Sequence, residues 1–133
     1  MQARSLLLLS VLLASVAACG RGPDVLGRVT LASGIEAPRT GELILEASPV
    51  TRVSERMTVY PLRLDMARLT FPFEFELGGN GEEPSNKLWG LSARVQEDPA
   101  TLLLEGSTGL QFKCDADGDN CEAGRVTVVL DVP

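Results

Sequence analysis

Strict alternation of apolar and polar side chains over ten residues is the feature that most constrains the fold of this chain. Between Arg68 and Leu77, apolar side chains occupy every second position. A period of two is typical of a β-strand that buries one face. Because Pro72 lacks a backbone donor, we expect this strand to lie at a sheet edge or to carry a bulge. The apolar positions are Leu69, Phe71, Phe73, Phe75 and Leu77.

Seven further segments also have the length and composition of strands, and Gly-, Pro- and Asp-rich turns separate them. Short strands at roughly ten-residue spacing predict an all-β fold, an antiparallel β-sandwich of about 7–8 strands. Gly106 to Gly109 are interpreted as one of the turns, Trp89 is expected in the core between the sheets, and no helix is expected after the export segment. The expected strands are Val25–Leu31, Glu42–Ala47, Arg56–Leu62, Arg68–Leu77, Leu88–Gln96, Thr101–Leu104, Leu110–Cys114 and Arg125–Val132.

The first 18 residues have the pattern of a cleaved export signal. Arg4 precedes an apolar run, Leu6–Ala14, that is too short to span a bilayer stably. The following Val16–Cys19 resembles the lipobox of bacterial lipoproteins, in which the cysteine thiol is lipidated and becomes the new N-terminus. We therefore expect a signal peptide over 1–18, a lipidated tether over 19–24 and a β-sandwich domain over 25–133. An ordinary secretory signal is the alternative.

Charge and sorting signals describe the environment of the mature chain. Loss of Arg4 leaves 12 − 1 = 11 basic against 18 acidic residues, a net charge of −7. Nucleic-acid binding rests on basic patches, so no nucleic-acid partner is expected. The lipid must supply the membrane anchor. Gly20, which stands in place of an aspartate after Cys19, resembles the sorting signal for the outer membrane, which predicts an anchor facing the periplasm.

Two cysteines remain for pairing once Cys19 carries lipid. Cys114 and Cys121 enclose six polar residues, and in an oxidising compartment we expect them to form a disulfide. Closing so short a loop stabilises by about 2.5 kcal/mol on the chain-entropy formula. Free thiols are the alternative.

Carboxylates at alternate positions of this loop resemble a calcium site. The EF-hand pattern fails, because Asn120 replaces its glycine and Val126 its glutamate. A solvated turn is the main interpretation and a weak calcium site the alternative; no other cofactor is expected. The candidate ligands are Asp115, Asp117 and Asp119.

Catalysis is not expected from this chain. Histidine is absent, which removes the commonest general base, and Glu74 and Glu76 are best explained as solvated strand residues. The predicted edge strand could instead bind a partner, since exposed edges pair with extended segments through main-chain hydrogen bonds. Charges that merely keep the edge monomeric are the alternative. The candidate partner-binding residues are Phe71, Phe73, Glu74 and Glu76.

Motifs spread over the mature chain resemble the YbaY/YscW lipoprotein family. They are Gly27–Thr30, Leu43–Ala47, Phe71–Phe75 and Leu88–Val95, with Leu102–Thr108 as the hairpin partner. The resemblance implies a β-sandwich lipoprotein, and some relatives are pilotins that escort secretins to the outer membrane. A secretin is therefore an expected client. The cysteine loop departs from the family pattern. The alternatives are a passive envelope or stress lipoprotein without a client and a transthyretin-like module that binds carbohydrate or peptide.

The lipobox gives a direct test. Cys19→Ser removes the only thiol that the lipid can join, so we expect it to abolish incorporation of labelled palmitate. The double variant Cys114→Ser/Cys121→Ser is the matched control and should keep the label. Labelling that survives Cys19→Ser would contradict the lipoprotein assignment.

Overall fold

The computed structural model describes residues 22–51 and 53–133, and it confirms the expected all-β sandwich. The predicted signal peptide and Cys19 lie outside these residues. The one helical element among the described residues is a 3₁₀ turn at Met66–Arg68. Within this part of the chain, no helix is long and apolar enough to cross a membrane. The strands are β1 (Val25–Leu31), β2 (Glu42–Pro49), β3 (Leu62–Asp65), β4 (Phe73–Leu77), β5 (Leu88–Asp98), β6 (Thr101–Lys113), β7 (Glu122–Ala123) and β8 (Val126–Leu130).

The strands form a three-stranded sheet, β4-β1-β8, and a five-stranded sheet, β3-β2-β5-β6-β7. All pairs are antiparallel except β1 with β8, so the expectation of a wholly antiparallel sandwich is wrong in this one pair. The reason lies in the last segment of the chain. It runs antiparallel to β6 as β7, leaves that sheet after Ala123 through Gly124 and Arg125, and pairs with β1 in the parallel direction.

One apolar core fills the space between the two sheets. Trp89 is 2% exposed and meets Phe112 edge to face, with ring centroids 5.9 Å apart. This confirms the expected position of the tryptophan. Every second residue of β5 is buried, as a strand with one face on a core requires. The fully buried side chains that share this core include Leu43, Leu45, Leu77, Leu91, Val29, Val95, Val128 and Leu130.

The alternating segment from Arg68 to Leu77 forms a shorter strand than expected. Only Phe73–Leu77 pairs with β1, because the 3₁₀ turn at Met66–Arg68 and a bend at residues 71–72 precede it. The periodicity nevertheless reports burial correctly: Phe75 and Leu77 are buried, while Leu69, Phe71 and Phe73 pack half-buried against the core. β4 is an outer strand of its sheet, as expected.

Two other segments differ from expectation. The segment expected as Arg56–Leu62 makes only a single bridge, Val59 to Gly79, and the strand begins at Leu62. The backbone groups of this segment bond to the loop after β4 and form no strand ladder. Met57 and Val59 are nevertheless buried, and this burial gives the segment the alternation of a strand.

The interpretation of Gly106 to Gly109 as a turn is wrong, because β6 runs straight from Thr101 to Lys113. Gly106 marks a close approach: a Cβ there would collide with the carbonyl oxygen of Val129, where β8 crosses β6. Backbone bonds between Glu105 and Asp131 close the sandwich at this corner.

This crossing predicts opposite effects for two glycine substitutions on neighbouring strands. Gly106→Ala should lower the free energy of unfolding by about 1–3 kcal/mol, since backbone must move to admit the methyl group. Gly90→Ala is the matched control, because nothing lies within 4 Å of its added Cβ. It should leave stability unchanged or raise it by up to about 1 kcal/mol. Chemical denaturation measures both, and equal effects would contradict the close approach.

Candidate functional site

One end of the sandwich collects the features that bear on function, and we call it the tether end. There β1 begins and β4 ends, and Gly22, which follows the predicted lipidation site, lies against Gly81. The other elements at this end are the loops 50–61 and 78–87 and the disulfide loop 114–121. Loop 78–87 crosses from β4 in one sheet to β5 in the other, so it caps the core.

The carboxylate of Glu55 ties the two long loops together. It accepts N–H bonds from Ser85 at 2.7 Å, from Asn86 at 2.8 Å and from Met57 at 3.2 Å, and a further bond from the Asn86 amide at 2.8 Å. Burial raises the pKa of Glu55, but the bonds from Asn86, Ser85 and Met57 stabilise the charged form and leave the pKa below its ordinary value. Glu55 is therefore an anchor for loop structure.

The core and a second amide extend this network. Trp89 Nε1–H donates to the carbonyl of Asn86 at 2.9 Å, which connects the buried indole to the Glu55 cluster. Asn80 accepts the N–H of Thr58 at 3.0 Å and donates to the carbonyl of Arg56 at 3.0 Å. Both loops are thus held by side chains rather than by a strand ladder.

Three of the predicted partner-binding residues lie in β4 and the fourth, Phe71, lies just before it, but they are not equally available. The Phe71 and Phe73 side chains are half-buried against the core. Glu74 pairs with Arg28 at 3.1 Å and with Arg125 at 3.4 Å. Glu76 lies beside Asp24: a hydrogen bond to Asp24, its negative charge and desolvation raise the pKa of Glu76. On the outer side of β4 no described strand pairs with Phe73–Leu77, so its backbone edge is free in the part of the chain that the structure describes.

The expected disulfide joins Cys114 to Cys121. The acidic loop that it closes uses its carboxylates internally: Asp115 accepts from the Asn120 amide at 2.8 Å, and Asp117 accepts from the N–H of Asp119 at 3.3 Å. Over residues 22–51 and 53–133, no three acidic, cysteine or histidine side chains are grouped to hold a metal ion. The calcium site remains a prediction without structural support.

An open groove of about 360 Å³ lies on the outer face of the five-stranded sheet at the tether end. Its walls are Val50 and Leu88, which are 64% and 54% exposed, and Gly109 and Gln111 of β6 line the opposite side. The N–H of Val50 bonds to the carbonyl of Leu88 at 3.0 Å and fixes the two walls together. This apolar groove was not anticipated, since Leu88 was interpreted only as a strand end and Val50 lay outside the predicted strands.

Comparison with known proteins supports the fold. No family model and no curated protein matches the chain. Among solved structures, the chain is similar to an alternative pilotin from the type II secretion system of Vibrio cholerae. The identity is 17%, the TM-score is 0.55, and the match covers 80% of this chain and 93% of that chain. The chain therefore has a fold like that of a pilotin, while membership of the YbaY/YscW family remains a prediction.

The Glu55 cluster predicts how stability depends on pH. A carboxyl whose pKa is lowered by folding stabilises above its unfolded pKa, and this contribution is lost as pH falls through the folded pKa. Glu55→Gln should lower the free energy of unfolding at pH 7 by about 1–2 kcal/mol. The deficit should shrink as the pH approaches 3.

Glu82→Gln is the control, because that exposed side chain makes none of the hydrogen bonds or ion pairs found among the described residues. Urea denaturation across pH measures both variants. A deficit that is independent of pH would contradict the role assigned to the Glu55 carboxylate.

Proposed function

We propose that this chain is a lipoprotein of the outer membrane whose β-sandwich binds an envelope client and assists its assembly, as a pilotin does. The observation that carries the proposal is the match of its fold to a secretion pilotin over most of both chains. The lipobox at Val16–Cys19 supports it independently, because an assembly chaperone at the outer membrane needs an anchor. A secretin or a related outer-membrane assembly is the proposed client.

The β4 edge is the proposed client surface. Its outer backbone groups can add a strand from an extended segment of the client, a mode in which main-chain bonds supply affinity and side chains supply specificity. Glu74 is neutralised by Arg28 and Arg125, so Glu76 and the adjacent Asp24 supply the uncompensated negative charge at this edge. A client segment with polar or basic residues fits that charge.

The role is proposed as non-catalytic. Nucleophilic or general-base chemistry needs a poised base near a nucleophile, and the sequence contains no histidine. Glu74 is engaged by two arginines, which explains that carboxylate without a glycoside substrate.

Site-specific photocrosslinking in whole envelopes tests the proposal. A photoreactive residue at Glu76, on the β4 edge, should capture a secretin or another outer-membrane assembly. The matched control carries the same residue at Ser92, an exposed position on the outer face of the five-stranded sheet. With Cys19→Ser, the crosslink should be lost and the client should be found away from the outer membrane.

The alternatives give different results. A passive lipoprotein captures the same abundant proteins from both positions and in both backgrounds, and its loss leaves secretins correctly placed. A carbohydrate-binding module enriches glycan in place of protein. Either result overturns the assembly role.

A further inference from the structure

Exposed apolar side chains are concentrated at the tether end. Seven large apolar residues of the described chain are exposed; three of them belong to loop 50–61 at this end, and a fourth is the first residue of β5. The remaining three, Leu102, Val129 and Val132, lie elsewhere on the sandwich. The four, which we call the apolar rim, are Val50, Val53, Tyr60 and Leu88.

Direct contacts connect the apolar rim to the root of the tether. Gly22 lies against Gly81, in the same loop as Asn86. The Asn86 side chain bonds to Thr51 Oγ1 at 2.9 Å and to the carbonyl of Val53 at 3.4 Å. The N–H of Tyr60 bonds to the carbonyl of Gly78 at 2.9 Å, in that loop again. The rim therefore lies at the end of the molecule from which the tether leaves.

The length of the tether fixes how far this end can be from a membrane. Three peptide units separate Cys19 from Gly22, and an extended chain spans at most about 3.6 Å per residue. Lipid on Cys19 therefore holds the tether end within roughly 10 Å of the headgroup layer. The opposite end, with Val132, follows the end of β8 that lies beside Leu31, away from the start of β1.

We propose that the apolar rim seats the domain on the lipid surface that holds Cys19. This inference rests on lipidation of Cys19 and does not require the client proposed above. Val50, Val53 and Leu88 enter the boundary between headgroups and acyl chains, and Tyr60 places its ring there with its hydroxyl toward water.

Flanking lysines add to the lipid contact. Lys87 precedes Leu88, and Lys113 ends β6 at the same end. They are the only lysines of the chain. Their apolar stems can lie along the surface while the ammonium groups reach lipid phosphates.

Charge at this end selects the kind of lipid. Residues 78–87 and 113–122 contain six acidic residues against two lysines, so a strongly anionic surface repels this part of the end more than loop 50–61, which contains Arg52 and Arg56 against Glu55. A zwitterionic surface avoids this cost and leaves the apolar contact intact. The acidic residues are Glu82, Glu83, Asp115, Asp117, Asp119 and Glu122.

Because lipid on Cys19 already holds the protein at the membrane, the small apolar rim is enough to seat the domain. Four side chains give weak binding to a free protein, but a tether of three residues makes the contact intramolecular and raises the local concentration of the surface greatly. The β4 edge lies along the flank of the sandwich between its two ends. Its first residue, Phe73, pairs with Val29 and lies farther from the tether end than Glu76, which pairs with Leu26.

Hydrogen–deuterium exchange on the lipidated protein in phosphatidylcholine nanodiscs tests the seating, with no client present. Mass spectrometry first establishes the lipid on Cys19. Relative to the Cys19→Ser protein in solution, exchange over 50–53 and 86–88 should slow about tenfold, which corresponds to about 1.4 kcal/mol. Exchange over 129–132 should not change. Replacing half of the lipid with phosphatidylglycerol should reduce the protection.

Paired variants separate seating from simple proximity. Val50→Gln/Leu88→Gln should abolish the protection, whereas Val129→Gln/Val132→Gln removes equally exposed aliphatic side chains elsewhere and should preserve it. The proposal is overturned if the rim exchanges equally fast with and without the bilayer, or if Val50→Gln/Leu88→Gln keeps full protection. Protection that appears only when a client is added also overturns it, because the rim is then a protein-binding surface.

Discussion

The buried indole of Trp89 connects the core of the sandwich to the loops at the tether end. Its ring packs against Phe112, and a buried indole N–H needs a hydrogen-bond acceptor, which the carbonyl of Asn86 supplies. Asn86 in turn donates to Glu55, so the position of the loop follows from the position of the ring. Packing of one aromatic pair thereby orders a surface that contains no strand ladder of its own. The rim and the groove depend on that order.

Sequence periodicity predicted which side chains are buried better than it predicted which backbone is paired. The alternation around Phe75 and near Val59 correctly predicted which side chains are buried. Pairing depends on partners far along the chain, so the segment near Val59 lacks its expected ladder. Gly106 shows the converse: a residue interpreted as a turn lies within a long strand, because it admits the backbone of β8. Only the distant strand explains that glycine.

A motif of consecutive residues can be recognised in a sequence, whereas a site assembled from distant residues cannot. The lipobox is four consecutive residues with one chemistry, and the cysteine pair encloses a short loop, so both are visible as patterns. The Glu55 cluster joins positions about thirty residues apart, and no local spacing signals it. A strand edge recruits partners largely through backbone groups that every residue possesses, so no local motif of residue types marks such an edge in the sequence.

The placement of β1 has a mechanical consequence for a protein held by its N-terminus. β1 is the central strand of its sheet, with five residue pairs to β4 on one side and five to β8 on the other. A pull on Cys19 reaches Val25 and acts along the strand. Both ladders are then loaded in shear, and their bonds must fail together instead of opening one at a time. Under the proposed lipidation of Cys19, a pull on the domain is therefore resisted by both ladders at once.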